Sequence, residues 1–261
     1  MYAASTASRN ARRALQAVNV ALPIGAAFLA GGMNSIAGGG SFLSFPALIL
    51  AGVPSIPANA TNNAAMWVGT FGSARAYWPD VKAYKKMLYP VLAISVVGSL
   101  IGACLLLLTP AATFQRLIPW LLLFATAVFA ATPLLTRPHH GNPEHQGWQL
   151  ILQFFVALYG GYFGAGIGIL MLAILAFSGL PSFNATNGMK NVLSVSINGC
   201  ALIPFLLARI VDWRFAIPMA VMALLGGYFG AKFFRRVPST VARTIVIAIG
   251  VTMTVVFFVR H

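Results

Sequence analysis

The sequence predicts an all-α polytopic membrane protein of two homologous repeats, each with about four long helices and one half-helix. Three observations predict it. Hydrophobic residues make up 59% of the 261 and charged residues 8%, with a mean hydropathy of +0.84. Soluble domains carry roughly 25% charged residues. A stretch crowded with glycine, asparagine, serine and threonine, Gly31 to Asn63, interrupts the apolar sequence. Backbone facing lipid must satisfy its own polar groups, so such a stretch belongs inside protein or along a cavity. Finally, that stretch recurs between Gly160 and Asn187. Gly52-Val53-Pro54 matches Gly179-Leu180-Pro181 at an offset of 127, and Asn59-Ala60-Thr61-Asn62 matches Asn184-Ala185-Thr186-Asn187 at 125.

Residues 1–13 read as a polar tail ending in Arg9, Arg12 and Arg13, and 14–135 as the first repeat. An apolar run from Ala14 to Ala30 follows the basic cluster. It leads straight into the glycine stretch and has an internal counterpart at Gln149–Gly164, so it reads as a retained first helix and not a cleaved signal. Ser41 to Ala51 lies between Gly38-Gly39-Gly40 and Gly52. As a helix it rises only about 17 Å, half of a ~30 Å hydrocarbon core, which makes it a half-helix. Pro54 and Pro57 break the chain before a helix from about Ala58 to Trp78, whose end carries the aromatic and basic residues of a membrane interface. Met87–Leu108 is a span with Gly98-x-x-x-Gly102, a small-residue face for close helix approach. Pro110 opens the helix that ends at Leu135.

The segment 136–147 is the one long hydrophilic connector, and 148–261 repeats the order. Gln149–Gly164 is a helix, Ile169–Phe177 a half-helix and Asn187–Ala208 a helix that starts polar. Phe215–Ala231 carries Gly226-x-x-x-Gly230, and Arg243–Val259 closes the chain. The Gly-x-x-x-Gly pairs stand at an offset of 128.

Composition excludes several functions. The net charge of +14 is spread singly between apolar spans with no basic stripe interleaved with aromatics, so nucleic acid is not a partner. These charges set topology and meet anionic lipid headgroups. Cys104 and Cys200 lie in apolar spans, far from any CxxC spacing, and read as small buried hydrophobes. Catalysis would need a nucleophile, base or metal ligands in the spans. His139, His140 and His145 sit in the polar connector, and Asp80, Glu144 and Asp212 all fall in loops. No enzyme activity, metal or cofactor is expected.

The glycine cluster before a half-helix, the Gly-x-Pro after it, NATNGMKNVLSVSINGCA from Asn184, Val211-Asp212-Trp213 and GGYFGAK from Gly226 resemble the TauE/SafE sulfite exporter family. The likeness runs from about Ala21 to Val259. It implies a bacterial inner-membrane protein exporting a small anion, sulfite or an organosulfonate.

The residues themselves permit anion chemistry. Asn187, Asn191, Ser194 and Asn198 fall on one helical face with Lys190 beside it, while Asn62, Met66, Gly69 and Ser73 keep the same spacing in the first half. Amides facing a bundle bind an oxyanion without adding negative charge; equally, they can glue helices together and bind nothing. Lys190 stands deep in an apolar helix, where a charge costs ~2.5–3.5 kcal/mol on insertion scales and normally serves a ligand, although a snorkelling or carbonyl-capping role is the bland alternative. Free N–H groups at the starts of both half-helices add donors. The expected substrate-binding set is Asn34, Gly38, Gly39, Gly40, Ser41, Asn59 and Asn62 in the first repeat. In the second it is Gly164, Gly166, Gly168, Asn184, Asn187, Lys190, Asn191 and Asn198. Both glycine clusters should face one shared cavity across a pseudo-two-fold axis.

No carboxylate in the spans can hold Na⁺ or relay protons. The membrane potential drives each negative charge outward by ~2.3 kcal/mol per 100 mV, so export driven by potential or by a proton gradient is the main reading. A passive anion channel and a small-anion or carboxylate uptake permease are the alternatives. Partners are then the anion, membrane lipids and, where copies pair, a homodimer. Orientation pulls two ways. Parallel repeats put eleven Lys and Arg inside and five outside, inverted repeats nine and seven, so charge favours parallel. Geometry favours inverted repeats with a re-entrant hairpin, because Leu15–Ala51 as a straight helix would run about 55 Å, too long for one crossing.

Overall fold

The computed structural model describes residues 20–35, 38–135, 146–175, 178–233 and 239–260. Every regular element among them is helical. In chain order these are α1 (Val20–Ser35), α2 (Ser41–Leu50), α3 (Ser55–Val81), α4 (Lys85–Leu108) and α5 (Ala111–Leu135). Then come α6 (Gln146–Tyr162), α7 (Ile167–Leu175), α8 (Phe183–Leu207), α9 (Trp213–Phe233) and α10 (Ser239–Arg260). Glycine and proline punctuation sets most boundaries. At the end of α2, Gly52 takes φ +88°, and the N–H groups of Gly52 and Val53 donate back to Ile49 and Leu48 carbonyls at 3.0 Å. That geometry satisfies the orphan carbonyls of a helix end and suits a residue without Cβ. At the start of α8, Ser182 accepts from the Ala185 N–H at 3.2 Å, an N-cap.

Several boundaries differ from expectation. α3 begins at Ser55, with Pro57 in its first turn, and runs to Val81, so Asp80 lies in a helix and not a loop. α8 begins at Phe183 and α10 at Ser239, each four residues early. α1 does not stop at Ala30 but continues through Gly31 and Gly32 to Ser35. These glycines are contact residues: a Cβ on Gly31 would overlap the Ala223 carbonyl of α9, and Gly230 of α9 abuts Gly32. α7 begins at Ile167, two residues before the expected Ile169. Residues 1–19 and 136–145, with His139, His140 and His145, lie outside the described residues, as do 176–177 at the expected end of the second half-helix.

Packing places α3 and α8 together at the centre. They run antiparallel: Trp67 Nε1 donates to the Val195 carbonyl at 3.0 Å, while Thr61 at the start of α3 accepts from Asp212 just beyond the end of α8. α4 packs on α6 through Gly98 and Gly102, where a Cβ would strike the Phe154 and Leu158 carbonyls. α9 packs on α1 in the same manner, Gly226 against the Phe28 carbonyl and Gly230 against Gly32. α9 also lies on α3 and α4 on α8, and α5 meets α10. The short α2 rests on α3 and α10, and α7 on α8, α6 and α5.

Among the described residues four stretches are long and apolar enough to cross a membrane: Tyr77–Leu108, Ala111–Val128, Asn184–Leu207 and Trp213–Gly230. Large apolar side chains such as Trp120, Ile151, Phe155, Ile203 and Ile217 point outward, as a lipid-facing surface requires. The interior holds an aromatic cluster in which Phe45 meets Phe163 edge-on at 5.3 Å. It seals one flank of the central cavity.

Candidate functional site

The starts of α2 and α7 meet head to head. Gly38 and Gly168 touch so closely that a Cβ on Gly38 would lie 3.3 Å from Gly168 Cα. Gly38, Gly39, Gly164 and Gly166 all adopt φ between +74° and +83°, which only glycine does readily. Together with α3 and α8 they enclose a cavity of about 30 Å³, room for about two water-sized centres. α3 contributes Asn62, Asn63, Met66 and Thr70, and α8 contributes Lys190, Asn191, Ser194 and Asn198. Asn34 closes the end of α1 over it, and Ser41, Phe163 and Ile167 complete the wall.

Lys190 is 2% exposed, and its Nζ donates to the Asn34 carbonyl at 3.4 Å. The one ion pair among the described residues is Arg214 with Asp212, so no acid answers Lys190 there. Asn191 beside it is also buried, and its amide nitrogen has no partner. A buried ammonium beside an idle amide N–H gives the cavity two adjacent donors for an anion. Several neighbouring polar groups are occupied, although the Asn63 side-chain oxygen has no partner. Ser44 Oγ donates to Asn62 Oδ1 at 2.5 Å, Asn63 Nδ2 to Asn198 Oδ1 at 3.3 Å, and the Asn34 side-chain oxygen accepts from the Gly40 N–H at 2.8 Å.

Of the expected residues, Asn34, Gly38, Gly39, Ser41, Asn62, Gly164, Gly166, Gly168, Lys190, Asn191 and Asn198 line this cavity. Four do not. Gly40 sits behind it, where a Cβ would strike the Ala30 carbonyl. Asn59 Nδ2 donates to the Tyr162 carbonyl at 3.1 Å and ties α3 to α6. Asn184 is exposed near the start of α8. Asn187 is buried with both amide atoms unpartnered, but outside the lining. Asn63 and Thr70 were not anticipated; the signal was available, since both lie within a turn or two of Asn62 on the face turned to α8.

A wider vestibule of about 560 Å³ opens alongside, between α1, α3 and α9. It is lined by Ser35, Gly69, Ser73, Tyr77, Asp80 and Asn184, among others. Asn34 and Ser35, like Thr70 and Gly69, are adjacent residues that face cavity and vestibule in turn. The two spaces therefore share a thin wall.

Such an arrangement, a polar cavity deep in a bundle of apolar helices, defines a multi-pass membrane transport protein. The family model of Sulfite exporter TauE/SafE matches residues 23–257, and the chain belongs to that family, which is one of transporters and not of enzymes. It is similar to a probable membrane transporter protein, ORF9, of Sinorhizobium sp., 25% identical over 232 residues and 88% of each chain. A probable membrane transporter protein of Haemophilus influenzae is 28% identical over 230 residues, 87% of this chain and 89% of the relative. The probable membrane transporter protein YfcA of Escherichia coli K12 is 29% identical over 236 residues, 87% and 85% of the two chains. No solved structure matches the chain.

Proposed function

We propose that the chain exports a small oxyanion, sulfite or a short organosulfonate, across the bacterial inner membrane through this cavity. The observation that carries the reading is Lys190, a buried cation with no acid in reach among the described residues, next to an unused amide donor. Uncompensated, such a charge costs several kcal/mol, and an anion offsets that cost. The cavity's small volume favours a compact oxyanion over a long sulfonate.

The carrier is two inverted repeats, 14–135 and 148–261, joined by 136–147. Two features support this. Equivalent helices α3 and α8 run antiparallel, as do α5 and α10, where Trp120 meets Phe258 and Thr126 lies against Gly250. Contacts also come in exchanged pairs: α4 on α6 and α9 on α1, α3 on α9 and α8 on α4, α5 on α7 and α10 on α2. The vestibule lies on the side of the basic α3–α4 connection, Lys82, Lys85 and Lys86, which the positive-inside rule places in the cytoplasm. That is the side from which an exporter loads. At ~150 mV a dianion would gain about 7 kcal/mol on leaving and a monoanion half of that.

Proteoliposomes loaded in turn with sulfite, thiosulfate, methanesulfonate and acetate test the reading. The expected result is saturable, potential-driven efflux of sulfite well above acetate, lost in Lys190→Met. Absence of potential-driven flux for all four would overturn it. Large unsaturable current would convert the carrier into a channel.

A further inference from the structure

The cavity walls contributed by α3 and α8 have the same composition of positions. Residues 62, 63, 66 and 70 line it from one side and 190, 191, 194 and 198 from the other, each set spaced i, i+1, i+4, i+8. Contacts around the crossing fall in the same register. Trp67 and Val195, joined across the two helices by the Trp67 Nε1 hydrogen bond, are 128 apart. Ser99 Oγ donates to the Ile197 carbonyl, and Gly227, 128 beyond Ser99, lies against the carbonyl of Gly69, 128 before Ile197. The repeated Asn-Ala-Thr-Asn text pairs Lys190 with Ala65 at an offset of 125. The contacts instead pair it with Asn62, nearly one helical turn away.

We propose that Asn62 and Lys190 are equivalent seats on opposite walls of one cavity, and that the single cation carried between them restricts the bound species to a singly charged oxyanion. This rests on reading the cavity as the anion site. Lys190 is the only titratable side chain among the lining residues, and the rest of the wall offers amides, hydroxyls, a thioether and backbone. One ammonium with one negative charge leaves the cavity neutral. A dianion leaves a net charge buried, which polar but uncharged neighbours offset poorly. Sulfite would therefore be held in its hydrogen sulfite form, and sulfonates, which carry one charge on the sulfur group, share the preference. Asn62 is the neutral seat. It is buried, its oxygen already accepts from Ser44, and its position is that of the lysine on the other wall.

Calorimetric binding to the full chain in nanodiscs, at fixed ionic strength, tests this with methanesulfonate and sulfate, two tetrahedral sulfur oxyanions differing in charge. Wild type should bind methanesulfonate at least about tenfold more tightly than sulfate. Asn62→Asp is nearly isosteric and still accepts from Ser44; it should place a carboxylate opposite Lys190 and abolish binding of both anions, although the lysine is intact. Asn62→Lys should reverse the preference by about tenfold toward sulfate. The exchanged pair Asn62→Lys with Lys190→Asn should regain methanesulfonate binding that Lys190→Asn alone has lost. Equal wild-type affinity for the two anions overturns the charge restriction. Unchanged anion binding in Asn62→Asp, which needs no large change of shape, overturns the shared seat. Unchanged binding in Lys190→Asn is a different failure, because it removes the anion site itself.

Discussion

Polar residues serve two opposite purposes in the α4–α6 interface and in the cavity between α3 and α8. In the interface, glycines bring backbones into contact, Gln153 Nε2 donates to Ser95 Oγ at 2.9 Å, and Ser95 Oγ donates to the Val91 carbonyl at 2.6 Å. The side-chain donors there are spent on holding helices together, and what is left over is an acceptor, the Gln153 side-chain oxygen. In the cavity, Lys190 has one long bond to a carbonyl and the Asn191 amide nitrogen has none. The same residue classes, at the same depth of burial, are glue where donors meet acceptors and a site where donors are left over. Sequence composition alone does not separate the two.

Breaking the glue should have the largest effect. Gly102→Val drives a branched side chain into the Leu158 carbonyl, where backbone, not a movable side-chain tip, must give way. Overpacking of this kind costs about 3 kcal/mol or more, so the variant should show a large loss of thermal stability and expression. Gly25→Ala is the control: nothing lies within 4 Å of the added Cβ, and helix propensity should make it neutral to slightly stabilising. If both variants melt alike, close glycine packing is not what holds α4 to α6.

Emptying the site should leave the fold intact and change binding. Lys190→Met keeps the apolar stem and removes a charge-assisted hydrogen bond worth ~1.5–3 kcal/mol, so anion affinity should fall roughly tenfold to a hundredfold. Its melting temperature should hold or rise, because a buried cation without an acid is itself destabilising. Lys190→Arg should be intermediate, keeping the charge on a wider fork. Reduced stability with unchanged affinity would return Lys190 to the glue.

Much of this division was legible in the residues, but unevenly. Half-helix lengths followed from Gly52, Pro54 and the glycine clusters, where positive φ at Gly38, Gly39, Gly52, Gly164 and Gly166 leaves the helical path. Gly31 and Gly32 misled for the converse reason: in a tight helix crossing a glycine continues the helix instead of ending it. Lys190 stood out because a lysine in an apolar helix is costly. The twin Asn59 and Asn184 misled, because identical words sit in different surroundings, one bonded to Tyr162 and one exposed. Which amide keeps a free donor depends on a partner more than a hundred residues away, as Asn63 and Asn198 illustrate, and no local pattern encodes that.

A smaller effect is expected within the interface from Ser95→Ala. It removes the acceptor for Gln153 without opening a cavity larger than a hydroxyl. Side-chain hydrogen bonds between membrane helices average about 0.6 kcal/mol in double-mutant cycles, because the unfolded chain in the membrane also finds partners. A loss of that size in Ser95→Ala, with anion affinity unchanged, is the pattern of glue. Changed affinity would mean that the two regions are coupled.

The smallest effect is expected from removing only the charge of a polar group outside both regions. Asp212 precedes α9, accepts from the Arg214 N–H at 3.1 Å and pairs with its guanidinium at 2.8 Å. The Arg214 hydrogen bond, helped by its charge and opposed by partial burial, holds the carboxyl below the usual carboxylate range. A depressed folded-state value means that the contribution is fully present above the unfolded carboxylate pKa and is lost only as pH falls through the lower folded value. Stability should therefore not change through this group between about pH 8 and about pH 5. Asp212→Asn keeps an oxygen to cap α9 and gives up only a pair whose arginine is 86% exposed, so its melting temperature should stay close to wild type. Asp212→Ala loses the cap as well and should cost about 1 kcal/mol. If Asp212→Asn were as damaging as Asp212→Ala, charge and not capping would be what Asp212 contributes, and the exposed pair would matter more than its solvation allows.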